Sequence, residues 1–150
     1  SPIPNPHYLK KKKSVTVVTN SVANALLLSD AGVKTYLSGG EVQIGSTSTV
    51  GSDALEYING FHCDVFFFSC HGLTLDGPGE GTVETQRCKK AMLDRSDKHI
   101  LLCDHSKIGM ALLSVVCHFD DIDVVITDSP LPNSYKEAFG KVGTEIRVAE

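Results

Sequence analysis

The sequence of 150 residues lacks the features that mark several large classes of protein. It has no apolar run of the roughly 18–20 residues that a membrane-spanning helix needs. Its first residues carry charge without the apolar segment of a secretory signal. It also lacks an excess of basic residues, since the net charge is −4. These absences exclude a membrane protein, argue against nucleic-acid binding by this chain alone, and lead us to expect a cytoplasmic protein.

Common metal and nucleotide motifs are missing as well. Neither CxxC nor HExxH occurs, and neither does GxxxxGK[ST] nor GxGxxG. The five cysteines are an odd number and lie mostly inside or beside apolar runs, which is typical of reduced, buried thiols rather than of a disulfide framework. Adjacent Cys–His pairs such as Cys70-His71 cannot easily share one ion, because neighbours in a strand point to opposite faces. We therefore expect no metal and no cofactor.

The first 13 residues differ in composition from the rest of the chain. Ser1–Pro6 is proline-rich, and Lys10–Lys13 is a run of four lysines. We interpret residues 1–13 as a tail or an added leader, with an arm for nucleic acid or a membrane surface as the alternative. Residues 14–150 show no further shift in composition, so we expect them to form one domain.

From residue 14 the chain alternates between strand-like and helix-like segments. Strands are predicted at Val15–Thr19, Val33–Leu37, Cys63–Cys70, Lys98–Asp104, Ser114–Phe119, Ile122–Thr127 and Thr144–Ala149. Helices are predicted at Asn20–Asp30, Val50–Asn59, Val83–Arg95 and Asn133–Gly140. The intervening His71–Thr82 is expected to be a glycine-rich loop, either a mobile lid or an ordinary surface loop. The alternation predicts an α/β fold with a mostly parallel sheet flanked by helices.

The segment with the most chemical promise is Ile100–Gly109, an apolar strand that ends in Asp104-His105-Ser106-Lys107. Parallel strands deliver their carboxyl ends to one edge of a sheet, where α/β proteins bind ligands. Lys107 is a candidate cation for a phosphate, and an ordinary solvated lysine is the alternative. Similar polar clusters, for which helix caps and turns are the simpler explanation, follow other strands. They are Thr19-Asn20-Ser21, Ser38-Gly39-Gly40, His71-Gly72 and Thr127-Asp128-Ser129.

The order and spacing of these segments resemble the C-terminal effector-sensing domain of DeoR-type bacterial transcriptional repressors. The stretches that carry the resemblance are VTVVTNSVANALL (Val15–Leu27), LSGGEV (Leu37–Val42), VG (Val50-Gly51), DVFFFSCHGL (Asp64–Leu73), KKAML (Lys89–Leu93), ILLCDHSKIG (Ile100–Gly109) and IDVVITD (Ile122–Asp128). Together they keep the order and approximate spacing of the family from residue 15 to residue 128. The resemblance implies an α/β fold like that of ribose-5-phosphate isomerases and CoA transferases.

The resemblance also implies a function. It predicts a sensor that binds a phosphorylated sugar, forms a homo-oligomer, and regulates a carbohydrate-metabolism operon. Residues 14–150 would be the sensor, and DNA would be bound only through a helix-turn-helix that residues 1–13 are too few to form. The residues that it places around the effector are Asn20, Gly39, Gly40, Gly72, Glu84, Lys90, Asp104 and Lys107. Lys107 would hold the phosphate, Asp104 and Asn20 the hydroxyls or the loop geometry, and Gly40 and Gly72 would permit close backbone approach.

Two departures from related proteins bear on function. LKKKK (Leu9–Lys13) stands where the family has a Gly-Ser-Gly-Thr-Thr-like loop that contacts phosphate. In the isomerases that share the fold, a carboxylate in an Arg-Glu-Lys segment moves the proton. The matching segment here is Arg87-Cys88-Lys89, which lacks that acid. We therefore predict that the chain is not an enzyme. An isomerase-like enzyme with an unusual base and a ligand-free oligomerisation module are the alternatives.

Overall fold

The computed structural model of the chain describes Asn5, His7 and residues 15–149. The predicted tail, with its lysine run, lies outside the described residues apart from Asn5 and His7. The chain divides into two compact units, one ending at Phe61 and the other beginning at His62. Composition does not indicate this division, because the sequence on both sides of it is ordinary helix and strand sequence.

The first unit contains two parallel strands joined by a helix, followed by a short antiparallel pair and a second helix. The elements are β1 (Thr16–Thr19), α1 (Val22–Asp30), β2 (Lys34–Leu37), β3 (Glu41–Val42), β4 (Thr49–Val50) and α2 (Ser52–Asn59). Strands β1 and β2 pair in parallel and β3 and β4 antiparallel. Helix α1 begins where the Ser21 side chain accepts a hydrogen bond from the Asn24 N–H, a normal role for a serine at this position.

The second unit contains the main sheet. Its elements are β5 (Cys63–Phe68), β6 (Gly72–Thr74), β7 (Gly77–Glu80), α3 (Val83–Asp94), β8 (Ser96–Cys103), β9 (Ser114–Val115), β10 (Val124–Thr127), α4 (Asn133–Lys141) and β11 (Glu145–Val148). Strands β5, β8, β10 and β11 lie in that order and are all parallel. This confirms the predicted α/β fold with a parallel sheet flanked by helices.

The core of the second unit forms along one row of the parallel sheet. Phe68, Leu101 and Val125 lie opposite one another on three adjacent strands, and all three are completely buried. Helix α4 packs Phe139 on the same core cluster, where its ring stacks on Phe119 with centroids 4.0 Å apart. Each such side chain contributes about 1.5–3 kcal/mol through burial. The apolar runs thus determine which strands are central.

The prediction of a loop over His71–Thr82 is wrong, because this segment forms the antiparallel hairpin β6–β7, to which β9 also pairs. All four residues of β7 are buried. A Cβ on Gly72 would lie 2.1 Å from the Met110 carbonyl oxygen, and one on Gly77 would lie 2.0 Å from that of Cys117. The glycines therefore permit close packing rather than mobility, and the segment is neither a lid nor a surface loop.

The strand predicted over Ser114–Phe119 is also too long. Only Ser114–Val115 is a strand, and Phe119–Asp121 forms a single 3-10 turn. The turn begins where the Asp121 carboxylate accepts a hydrogen bond from the His118 N–H at 3.0 Å. Local hydrogen bonding of this kind competes with strand pairing and ends the extended segment.

Two adjacent glycines after β2 differ in what surrounds them, which allows a matched test. Gly40 has a φ of +126°, and a Cβ there would lie 2.9 Å from the Val50 carbonyl oxygen. A Cβ on Gly39 would have no atom within 4 Å. We expect Gly40→Ala to lower the free energy of unfolding by about 1–3 kcal/mol through backbone strain and crowding. Gly39→Ala is expected to change it by less than about 0.5 kcal/mol. Urea unfolding of both variants measures the difference, and equal stabilities would contradict this account.

Candidate functional site

The carboxyl edge of the parallel sheet carries the polar side chains that follow β8. Asp104 begins a 3-10 turn over His105–Lys107 and accepts hydrogen bonds from the Ser106 N–H at 2.9 Å and from the Ser106 hydroxyl. These bonds to Ser106 hold the pKa of Asp104 below its usual value. The Asp104 carboxylate is thus ionised and keeps the turn in shape.

A second carboxylate links this turn to the end of β10. Asp128 accepts hydrogen bonds from the backbone N–H of His105 at 2.8 Å and from its Nδ1 at 2.6 Å. The contact raises the pKa of His105 and lowers that of Asp128, because each charge favours the other. Both side chains are exposed, so solvent screens the interaction. The pair fixes the imidazole with its Nε2 atom directed away from Asp128.

Lys107 completes the turn as a cation without a direct partner. Within residues 15–149 its ammonium makes no hydrogen bond or ion pair, although its positive charge helps to lower the pKa of Asp104. A lysine ammonium has three donors and binds phosphate as a point charge. Lys107 is therefore available for an anion.

A cleft of about 140 Å³ opens between the ends of β8 and β10. Its lining residues are Cys103, His105, Ile108, Thr127, Ser129, Pro130, Leu131 and Pro132. The Thr127 hydroxyl donates a hydrogen bond to the Ser129 carbonyl at 2.8 Å and so shapes one wall. Since a water molecule occupies about 30 Å³ of liquid, the cleft has room for a phosphate or part of a sugar.

The end of β5 carries a buried charge cluster that the sequence did not reveal. The Glu80 carboxylate, only 1% exposed, accepts hydrogen bonds from the His71 N–H, the His71 Nδ1 and the Lys89 ammonium at 3.0, 2.7 and 3.1 Å. Lys89 also donates to the Ser69 carbonyl at 2.6 Å. The His71 imidazole itself is largely exposed. Glu80 thus orients an accessible histidine beside the sheet edge.

The sequence places His71 in a polar cluster and Lys89 in a stretch that resembles the family, but Glu80 belongs to neither and was not predicted as a site residue. The available signal was the equal spacing of nine residues from Glu80 to His71 and to Lys89. The spacing places Glu80 beside His71 only because residues 71–80 form a hairpin, in which the two ends of the segment lie next to each other.

Three predicted site residues belong to the first unit. Asn20 is buried, and its side-chain amide donates to the Thr49 carbonyl at 2.9 Å. Ser38 bonds the Thr49 hydroxyl at 2.7 Å. These bonds hold the polar ends of β1 and β2 together, so the described contact of Asn20 serves loop geometry. Gly40 approaches the Val50 backbone, whereas Gly39 faces open space.

The other predicted residues belong to the second unit and do not all lie together. Asp104 and Lys107 share one turn. Gly72 permits close approach to Met110 rather than leaving an open surface. Glu84 is exposed in the first turn of α3, and Lys90 pairs with Asp94 at 2.9 Å one turn further along the same helix. That all eight predicted residues form one effector site stays a prediction.

Within residues 15–149, no three His, Cys, Asp or Glu side chains are arranged to hold a metal ion. The same residues include no helix with the length and apolar character that crossing a membrane requires.

The parallel sheet, the polar turn after β8 and the threonine-aspartate end of β10 define an α/β domain with a candidate small-ligand site at its carboxyl edge. The family model described as the DeoR C terminal sensor domain matches residues 6–129. The chain belongs to this family, which confirms the resemblance stated above.

Particular relatives are bacterial transcriptional regulators. The HTH-type transcriptional repressor GlcR of Bacillus subtilis (strain 168) is 33% identical over 90% of this chain and 53% of its own length. The glycerol-3-phosphate regulon repressor of Escherichia coli (strain K12) is 30% identical over 85% of this chain and 52% of its own length. The putative aga operon transcriptional repressor of Escherichia coli O157:H7 is 28% identical over 92% of this chain and 52% of its own length. The chain spans about half the length of these relatives.

Two neighbouring lysines on α3 test whether the Glu80 cluster stabilises the fold. Lys89 is 12% exposed and neutralises buried Glu80, whereas Lys90 forms an exposed pair. We expect Lys89→Met to lower the free energy of unfolding by about 3 kcal/mol, because a buried charge loses its cation. Lys90→Met is expected to change it by about 0–1 kcal/mol. Chemical denaturation compares the two, and equal losses would contradict the role given to Glu80.

The contact between His105 and Asp128 predicts a pH dependence. Since the pKa of His105 is raised on folding, its share of stability is present below the unfolded value of about 6.5 and is lost as pH rises through the folded value. The share of Asp128 is present above about 3.8 and is lost as pH falls through its lowered value. The pair therefore stabilises most between these limits.

An NMR titration of the His105 ring measures this directly. We expect its pKa to lie above the ordinary histidine value of 6.5 and to fall toward that value in Asp128→Asn. Asp97→Asn, which removes the partner of His62, is the control and is expected to leave His105 unchanged. A His105 titration that Asp128→Asn does not move would contradict the assignment.

Proposed function

We propose that this chain is the effector-sensing part of a DeoR-type transcriptional repressor. The ligand is a phosphorylated sugar, bound at the carboxyl edge of the four-stranded sheet, and the regulated genes form a carbohydrate-metabolism operon. Lys107 holds the phosphate, and the wall of the cleft between β8 and β10 takes up part of the sugar.

The observation that carries the proposal is the position of Lys107. Its ammonium has no direct partner within the described part of the chain, and it lies in the same turn as His105, which lines the cleft. Carboxyl ends of parallel strands are where α/β proteins bind small ligands. The protonated form of His105, favoured by Asp128, adds a second positive charge near the same wall. A phosphate is a common metabolite group whose negative charge and acceptor oxygens suit two cationic side chains that lie this close together.

The name of one of two relatives supports a phosphorylated ligand. One is a glycerol-3-phosphate regulon repressor, and another is a putative aga operon repressor. We therefore take the regulated operon of this protein to serve carbohydrate metabolism. The protein acts in the cytoplasm as a homo-oligomer, and DNA is bound through a helix-turn-helix outside this sequence. Ligand binding changes operator affinity only if the ligand binds two subunit arrangements unequally.

The residues around α3 support a sensor rather than an isomerase. Cys88 stands where the resemblance places the carboxylate base, and its thiol is buried in the helix. A thiol that is only 1% exposed does not reach a sugar carbon in the way that proton transfer requires. Binding without turnover is the activity that these groups support best.

Calorimetry with a panel of phosphate compounds tests the proposal. The panel contains glycerol 3-phosphate, glucose 6-phosphate, ribose 5-phosphate and inorganic phosphate. We expect saturable binding of at least one sugar phosphate and a loss of about 1.5–3 kcal/mol, roughly ten- to a hundredfold in Kd, in Lys107→Ala, because a charged hydrogen bond to phosphate is removed.

Lys98→Ala is the matched control, since Lys98 is an exposed lysine in the first half of the same strand. It is expected to leave Kd unchanged. Binding of no sugar phosphate would overturn the proposed ligand class, and equal affinity in Lys107→Ala and the unaltered chain would overturn the role of Lys107.

A further inference from the structure

Two thiols meet at the carboxyl ends of β5 and β8. Phe68 lies opposite Leu101 in the parallel register, and Cys70 and Cys103 each follow two residues later. Both cysteines lie two residues beyond this last pair of the register and belong to the same buried core cluster. Their side chains hydrogen-bond to each other, and the Cys103 thiol also donates to the Asp104 carbonyl at 3.5 Å. Both are thiols in this structure.

We propose that Cys70 and Cys103 form a reversible oxidation site, which closes to a disulfide across the ends of β5 and β8 when a small peroxide enters the cleft. Neighbouring strands lie about 4.8 Å apart, so two residues just beyond the last pair of β5 and β8 are within reach of the Cα separations of about 4.4–6.8 Å that a disulfide spans. The oxidation shares this cleft with the proposed sugar-phosphate ligand, but it needs no ligand to proceed.

Cys70 and Cys103 are both buried, but the cleft connects the pair to solvent. Cys103 lines the cleft of about 140 Å³, so a peroxide of nearly the size of water can reach its sulfur. Cys70 is not among the residues that line it. Cys103 is therefore the thiol that meets the oxidant first, and Cys70 is the partner behind it.

The electrostatics of the two thiols agree with this order. The hydrogen bond from Cys70 lowers the pKa of Cys103 and outweighs burial and the nearby carboxylates of Asp104 and Asp128, which raise it; the Lys107 ammonium also lowers it. The same hydrogen bond, followed by burial, raises the pKa of Cys70. Cys103 is thus the better nucleophile, since the thiolate is the reactive form, and Cys70 keeps its proton until the second step.

The chemistry proceeds in two balanced steps. The Cys103 thiolate attacks one oxygen of hydrogen peroxide, the O–O bond breaks, and the cysteine becomes a sulfenic acid while hydroxide leaves and takes up the thiol proton as water. The Cys70 sulfur then attacks the Cys103 sulfur, the S–O bond breaks, and the hydroxyl leaves with the Cys70 proton as a second water. The two thiols are oxidised together and the peroxide is reduced to water; a dithiol reagent reverses the change.

Peptide mass spectrometry of the peroxide-treated chain tests the proposal. Each of the five cysteines falls on a separate peptide after cleavage before aspartate residues. After brief treatment with hydrogen peroxide and alkylation, we expect a crosslinked pair of the peptides that contain Cys70 and Cys103. Dithiothreitol is expected to remove the crosslink. Cys117, which is buried and has its pKa raised to about 12 by burial, is expected to remain alkylatable.

Variants separate the two steps. Cys117→Ser is the matched control and is expected to leave the crosslink intact. Cys70→Ser is expected to stop the reaction at a sulfenic acid on Cys103, trapped by dimedone, and Cys103→Ser is expected to leave Cys70 unoxidised. An unmodified Cys103 in the treated chain, or a disulfide between any other pair, would overturn the proposal. Because the readout is covalent, it stands whether or not a sugar phosphate binds.

Discussion

The parallel register of β5, β8 and β10 is the constraint on which the second unit depends. It stacks Phe68, Leu101 and Val125 in one buried row, and helix α4 packs on the core that this row begins. The same register brings the ends of the three strands to one edge. The polar turn after β8, the threonine-aspartate end of β10 and the thiol pair all owe their positions to that alignment. A shift of one residue would turn the buried row to the other face and separate these groups.

The hairpin beside that edge has a different origin. The backbone at its glycines packs so closely on the carbonyls of Met110 and Cys117 that a residue with a Cβ atom would not fit there. This close packing buries Glu80, and burial of a carboxylate is tolerated only with cations beside it. The backbone packing, the placement of Lys89 and the fixed imidazole of His71 are therefore parts of one arrangement.

Much of the fold could be predicted from the sequence, and the reasons are physical. Apolar, β-branched runs such as those ending at Cys103 and Thr127 have few alternatives to buried strands, and Ser21 and Thr82 begin helices through local bonds. The hairpin was missed because a glycine-rich segment reads as a loop unless the backbone that packs against it is known. Of the predicted site, the turn around Asp104 and Lys107 follows from local sequence. Glu80 depends on contacts across the hairpin, and the division after Phe61 depends on tertiary packing. Neither the role of Glu80 nor the division after Phe61 can be recognised from the amino-acid composition.

The contact of Asp128 with His105 bears on how this protein can change over evolution. Both oxygens of that carboxylate are occupied by one neighbouring residue, so the side chain continues the pairing of β8 and β10 beyond their last backbone hydrogen bonds. Replacing it would loosen the turn and would also remove the partner that favours protonated His105. Substitution is then more readily accommodated in the loop from Ser129 to Pro132, whose residues line the cleft without joining the two strands. The rigid and the adaptable parts of this small surface are thus direct neighbours in the sequence.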